Sequence, residues 1–481
     1  IGADEDPTGV IQPGDVLDTL TQLVNKSLVI AERSNGGHVR YRLLETIRQY
    51  AREKMSDYCD TDCVWDRHLA FFVQLAECAA PALRGPQQVP WLNRLREEMD
   101  NIHVALDWAL EYQAEAGLRL ASAIYEFVSR YGPVNAVVDK LLQLLQQPAA
   151  QPRTALRAKA LETAANLVSW GGDLAEARDL AAAGLAIYRE LGDVPGEAVC
   201  LGTLGALCCY MDDYEIGRPL VLDSLRLFRQ LDDQHGIANA LLDLGSVADN
   251  RDADRALAYL QESLTIFRAR GDQIGMAYAL NELGMLALRQ GDLAPARRWL
   301  EESLQVQTAL GGPEPMLLMY LGELALREGR YDEARACFEQ GLAACRATGL
   351  TVIALWSKAQ LGYVYLREGA EECAQDTFAE VQQRFREMGS KIGVVYALEG
   401  LGSLAVRQGE YDRAVRLFAW ADAMRASIGD LRPPVEQAEV DRDYAAIRTH
   451  LPDQLIVTAA AEGRSMTLEQ AVAYAWQPRM N

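Results

Sequence analysis

The sequence is short of most things that chemistry needs. It has five histidines (His38, His68, His103, His235, His450), far apart along the chain. Neither G-x-S-x-G nor H-E-x-x-H occurs, so no hydrolase constellation is legible. There is no G-x-x-x-x-G-K-[ST] and no Gly-Lys dipeptide. Without that glycine-rich loop and its lysine nothing cradles a nucleotide's phosphates, and the chain alone is expected to be no enzyme. No stretch approaches eighteen apolar residues, which predicts no membrane span. Positive charge is scarce: 47 Lys and Arg against 68 Asp and Glu give a net charge of -21. A chain of that sign is not expected to grip a phosphate backbone as a whole. Nine cysteines lack framework spacing. Several (Cys200, Cys208, Cys209, Cys337) fall in predicted helices and read as reduced thiols of a cytoplasmic protein. The chain opens on Ile without a signal peptide and is treated as a candidate fragment.

What is present is a repeat. Gly172-Asp173-Leu174-Ala175-Glu176-Ala177 returns as Gly291–Ala296, Gly329–Ala334 and Gly409–Ala414, with weaker copies at Asp212–Gly217, Asn250–Ala256 and Gly369–Ala374. The closing small residues, Ala177, Gly217, Ala256, Ala296, Ala334, Ala374 and Ala414, are 40, 39, 40, 38, 40 and 40 residues apart. A fixed period of this size predicts a helical solenoid. Each unit reads as helix A, a short turn and helix B. Leu-Gly recurs in helix A at Leu204-Gly205, Leu244-Gly245, Leu283-Gly284, Leu321-Gly322, Leu361-Gly362 and Leu401-Gly402. Glycine inside a helix costs about 1 kcal/mol against alanine. Its recurrence implies close approach of helix B, with the small residue that opens helix B facing it.

Residues 1–58 read as helix, hairpin and helix: apolar spacing from Val16 to Val24, strands around Leu28–Arg33 and Val39–Leu43 joined by Asn35-Gly36-Gly37, then a helix from Leu44. That is most of a winged helix. Residues 59–150 read as a helical linker ending in a degenerate capping repeat. Cys59-x3-Cys63-x4-His68 lacks a fourth ligand, and no metal is expected there.

The runs Leu23-Val24-Asn25-Lys26-Ser27-Leu28-Val29 and Tyr41-Arg42-Leu43-Leu44-Glu45-Thr46-Ile47-Arg48-Gln49-Tyr50-Ala51 resemble the winged-helix module of bacterial signal-transduction ATPases with numerous domains, the STAND group, many of them LuxR- or AfsR-like transcription regulators. The order Leu-Gly, then twelve residues to Ala, resembles the tetratricopeptide repeat. The implied architecture is all-α: a right-handed tetratricopeptide-like solenoid over residues 151–430, preceded by a small partial winged-helix module and closed by a C-terminal helical cap over 431–481. The resemblance also implies an ATPase module upstream, with ATP and Mg²⁺ bound there and none here. The winged helix would pack on that module. With seven Lys/Arg against nine acids in residues 1–58, it is not expected to read DNA.

Helix A of such an array lines the concave face, which solenoids use for binding. Counting so that the repeat glycine is position eight, the tetratricopeptide register puts positions two, five, nine, twelve and thirteen on that face. It nominates Asn239, Tyr278, Asn281, Arg289, Arg327, Trp356, Tyr363, Arg367, Tyr396, Glu399 and Arg407, together with Asn250. Arg289, Arg327, Arg367 and Arg407 form a column beside aromatic rings, suited to an anionic or aromatic ligand. The plainer reading is that a cation in the last turn of a helix complements the helix dipole. The expected function is effector sensing or partner binding that controls the upstream ATPase. The alternative is a constitutive protein-interaction scaffold with no small-molecule effector.

Overall fold

The computed structural model describes residues 13–33, 39–58, 61–247 and 252–477. The first module is α1 (Pro13–Asn25), the antiparallel strands β1 (Val29–Arg33) and β2 (Val39–Leu43), and α2 (Glu45–Tyr58). The register pairs Val29 with Leu43 and Ala31 with Tyr41. Helix, hairpin and helix are therefore present as expected. The Asn35-Gly36-Gly37 turn, His38 and Cys59 lie outside the described residues, as does Asn250.

The linker comprises α3 (Thr61–Ala82), α4 (Gln88–Tyr112), α5 (Ala114–Ala123), α6 (Tyr125–Tyr131) and α7 (Val134–Gln146). The helical path from Ala114 to Tyr131 is broken at Ile124. The bend lets Leu120 before it and Phe127 and Val128 after it all reach the core.

Seven helix pairs follow: α8 (Ala155–Gly171) with α9 (Leu174–Leu191); α10 (Val194–Tyr210) with α11 (Tyr214–Gln230); α12 (Gln234–Ser246) with α13 (Ala253–Arg270); α14 (Gln273–Gln290) with α15 (Leu293–Leu310); α16 (Pro315–Arg327) with α17 (Tyr331–Thr348); α18 (Thr351–Glu368) with α19 (Glu371–Glu387); and α20 (Lys391–Arg407) with α21 (Tyr411–Ile428). Aspartates at the starts of α9, α10, α12 and α14 accept backbone N–H bonds that the first turn leaves unpaired. The chain ends in α22 (Pro434–Arg448), α23 (Asp453–Ser465) and α24 (Leu468–Ala475).

The repeat glycines are there for close packing, but against a different residue from the one expected. A Cβ on Gly284 would lie 2.5 Å from Leu300, and on Gly322, Gly362 and Gly402 it would lie 2.7–2.8 Å from Phe338, Phe378 and Phe418. The glycine thus seats the large residue about two turns into helix B. The small residue at the helix B start sits nearer the turn, and only Gly205, whose Cβ would be 2.8 Å from the Gly217 carbonyl oxygen, meets it.

The solenoid coils tightly enough to touch itself. Gln88 donates to Asp272 at 2.7 Å and accepts from the backbone N–H groups of Gln273 and Ile274. Tyr131 donates to the Leu310 carbonyl at 3.0 Å, and Arg130 pairs with Glu314 at 2.5 Å. Asp212 accepts from the N–H groups of Lys391 and Ile392 at 2.8 and 3.0 Å. These partners are 179 to 186 residues apart in sequence, so one turn of the coil closes on the next after about four and a half forty-residue units. Asp212 stands where other units place glycine, with φ of 63°. A non-glycine residue tolerates that left-handed backbone at some cost. The burial of its carboxyl, opposed by the two N–H bonds, pushes its pKa up to about 6.

Candidate functional site

The cap does not lie only over the last repeat as expected. Helices α23 and α24 pack on α21. Helix α22 turns inward instead and lies against α14 and α20, both helices of the concave wall. Pro433 and Pro434 force the break that starts this turn, and Pro at the first helical position suits the new helix.

Charge positions α22. Glu439 accepts from Arg327 at 2.6 Å and from Arg367 at 2.9 Å. Arg425 bridges Glu399 at 3.0 Å, Glu436 at 3.0 Å and Asp430. Arg432 joins Glu399 at 2.6 Å, and Ser403 donates to Asp443 at 2.5 Å. Buried charges persist only when paired in this way. Burial disfavours the ionised Glu399, but Arg425 and Arg432 outweigh it and hold its carboxyl below the usual range. Glu436 is less well served: burial pushes it up to about 7 despite Arg425. Burial likewise opposes the charge of Arg327, and Glu323 and Glu439 more than offset it.

The nominated residues divide accordingly. Arg327 and Arg367 are on the concave wall but are already occupied by Glu439. Tyr363 and Tyr396 are buried, packed ring on ring at 4.9 Å, with the Tyr363 hydroxyl donating to the Tyr396 carbonyl. Glu399 is consumed by the arginine network. Asn281 is fully buried and accepts from Ser303 at 2.7 Å. These five, Arg327, Tyr363, Tyr396, Glu399 and Asn281, are engaged within the chain in this structure. Position five points between helices rather than into the lumen in the units holding Asn281 and Glu399, and α22 covers the rest. Trp356 is half-buried against Phe385 and Tyr396. Tyr278 sits at the seam between coils, under the Arg130 guanidinium at 5.5 Å. Asn239 is half-buried beside His235 at 3.0 Å. Arg407 is exposed and stands apart from the others.

Arg289 alone of the column lines a cleft, shared with Tyr210, Tyr214, Arg218 and Asp430. Asp243 on α12 and Glu282 on α14 are half-buried carboxyls pushed up to about 7 by burial. The charge of Glu282 adds to the rise of Asp243, and Glu282 accepts from the Tyr320 hydroxyl at 3.2 Å. Both occupy position six, one step round the helix from the nominated position five. The register borrowed from a shorter repeat missed them. The spacing of Glu436, Glu439 and Asp443 was a readable signal: these acids share one helix face.

Comparison with known proteins agrees with the parts. The family model described as "Tetratricopeptide repeat" matches residues 203–269, 237–309 and 275–347, and that described as "Winged helix-turn-helix domain" matches residues 8–56. A Mycobacterium tuberculosis protein named "Putative HTH-type transcriptional regulator" is 32% identical over 241 residues, 48% of this chain. The chain spans about a quarter of that relative's length, 26%. Among solved structures, a Rap protein complexed with competence and sporulation factor is similar over 67% of this chain and 98% of its own, with 13% identity and a TM-score of 0.49. A Pyrococcus horikoshii STAND protein with a tetratricopeptide repeat sensor is similar over 92% of this chain and 60% of its own, with 15% identity and a TM-score of 0.45. The chain therefore combines a winged helix-turn-helix module with a tetratricopeptide-type solenoid, and no helix among the described residues is long and apolar enough to cross a membrane.

Proposed function

We propose that this chain is the sensing region of a STAND-type bacterial regulator. In this reading the inner wall of the array recognises an effector or a partner. Occupancy then alters how the array and winged helix restrain an upstream nucleotide-binding module, where ATP and Mg²⁺ are bound. The observation that carries the reading is α22 seated in the concave groove. Of its fifteen residues only Val440 and Ile447 are buried, while Glu436, Glu439 and Asp443 all engage the wall. Apolar area holds it weakly and charge holds it in place. An element of that kind is exchangeable for another occupant that binds the open wall better.

One observation supports a winged helix that makes no DNA contact, and another supports a regulatory role. Arg40 on β2 faces Glu98 of α4 at 3.4 Å, and Arg42 faces Glu32 at 3.3 Å. The strand cations that a wing would offer to phosphates are thus engaged within the chain. The mycobacterial relative is itself named as a transcriptional regulator.

The test is Glu439→Lys in the intact regulator, which sets like charge against Arg327 and Arg367. Hydrogen exchange over residues 434–448 should accelerate, and nucleotide hydrolysis should change by about fivefold or more, the low end of ordinary coupling. Released α22 with unchanged hydrolysis would leave a scaffold without a switch.

A further inference from the structure

Helix α22 displays the chemistry that the concave wall accepts. Its acids meet the arginine column in order. Glu436 pairs with Arg425 at 3.0 Å and is drawn through space by Arg289. Glu439 pairs with Arg327 and Arg367 at 2.6 and 2.9 Å. Asp443 accepts from Ser403 at 2.5 Å and feels the charge of Arg367. The wall's own acids, Glu323 and Glu399, are each paired with arginine. Glu439 is the ion-pair partner of Arg367 among the described residues. With α22 lifted away, that guanidinium would face the groove without one.

The spacing calls for a helix. Glu436, Glu439 and Asp443 stand at i, i+3 and i+7 and share one helix face. They span about 10 Å of rise. Packed helices lie about 8–10 Å apart, so one short acidic helix can answer arginines from successive units. A small dianion would reach only one or two of them. Apolar contact adds two anchors: Val440 and Ile447, at i+4 and i+11, enter the cluster around Phe418. Lysine at the acid places would set like charges together in a desolvated groove. A long polyanion such as nucleic acid is opposed by the net charge of -21. Three local carboxylates escape most of that repulsion, because salt screens charges beyond about 10 Å.

We propose that the groove under α22 docks an acidic amphipathic helix of a partner protein, with carboxylates at i, i+3 and i+7 and aliphatic residues at i+4 and i+11, and that α22 is the built-in occupant this partner displaces. The assignment rests on the sensing role argued above and names the partner class for it. Burial pushes Glu436 up to about 7 despite Arg425, so α22 fits the wall imperfectly and leaves room for a better occupant. Displacement frees only α22, because α23 and α24 keep their own packing on α21.

The experiment is fluorescence anisotropy with a labelled peptide of residues 434–448. It is added to the full 481-residue chain and to its Glu439→Gln/Asp443→Asn variant, whose own α22 is loosened. A short tether holds α22 at an effective concentration of about 1 mM, so the peptide should bind the variant at least about tenfold more tightly than the parent. An alanine and glutamine host peptide carrying only the three acids and two aliphatic residues should bind within about tenfold of the α22 peptide. The same host with lysine at the three acid places should bind at least about tenfold more weakly, since its desolvated charge pairs are lost. These changes lie in the peptide and leave the folded chain untouched. Arg367→Glu added to the variant should weaken binding by a similar factor. The proposal is overturned if neither acidic peptide binds the variant, if the lysine host binds equally well, or if Arg367→Glu changes nothing. If the variant dimerises and the dimer refuses the peptide, the occupant is α22 of a second copy and the separate partner is overturned. Absence of peptide binding beside altered hydrolysis in Glu439→Lys removes only this partner. Peptide binding without any change in hydrolysis keeps the docking site and removes the sensing role.

Discussion

The same helix position behaves differently in the two halves of the array. At position thirteen, Arg289 faces an open cleft, whereas Arg327 and Arg367 share Glu439 of α22. At position nine, Ser246 and Met285 are half-exposed, whereas Glu323 and Tyr363 are buried. Repeat sequence sets where a side chain points. The coil and the returning helix decide whether anything outside can reach it. The C-terminal half is a closed lock of paired charges, whereas Arg218 and Arg289 of the N-terminal half have no ion-pair partner among the described residues.

That contrast can be broken from either side. Arg425→Ala, or Arg327→Ala, strands buried carboxylates and should cost roughly 3–5 kcal/mol in urea denaturation. Because solenoid units touch mainly their neighbours, the C-terminal units should melt first. Next in size is Gly362→Ala, whose new Cβ would lie 2.8 Å from Phe378. Overpacking of that kind costs about 1–3 kcal/mol and exceeds the propensity gained by alanine. A smaller effect depends on pH. The carboxyls of Asp243 and Glu282 are pushed up to about 7 in the folded chain, against about 4 when unfolded. The folded state therefore holds their protons longer, and stability is lost as pH rises from about 4 through 7. Asp243→Asn should flatten that loss, leaving the variant more stable than the parent at pH 8 and no more stable at pH 4. A variant no more stable at pH 8 would mean the carboxyl is well solvated. The smallest change is Arg289→Ala, which should stay within about 0.5 kcal/mol because no ion pair to it is present among the described residues. A large loss there would mean that Arg289 belongs to the lock.

Much of this was legible in residues. The forty-residue period, the Leu-Gly pairs and the hairpin strands at Val29 and Val39 give solenoid and winged helix directly, because local packing dictates them. The arginine column was legible too, down to its place in the last turn of each helix A. The occupant was not. Whether Arg327 meets solvent or Glu439 depends on where a helix 112 residues later comes to rest, and neither periodicity nor propensity encodes that path. Position six escaped for another reason. The borrowed register belongs to a shorter repeat and nominates no position six, where Asp243 and Glu282 stand half-buried.

The central claim is that α22 is a separable occupant of the groove rather than part of the wall. Native-state hydrogen exchange measures that directly by comparing α22 with α20, which buries twelve residues where α22 buries two. The account predicts that amides of residues 434–448 exchange through a local opening, well below the free energy that protects α20. Equal protection of the two helices, lost together in one global unfolding step, would contradict it.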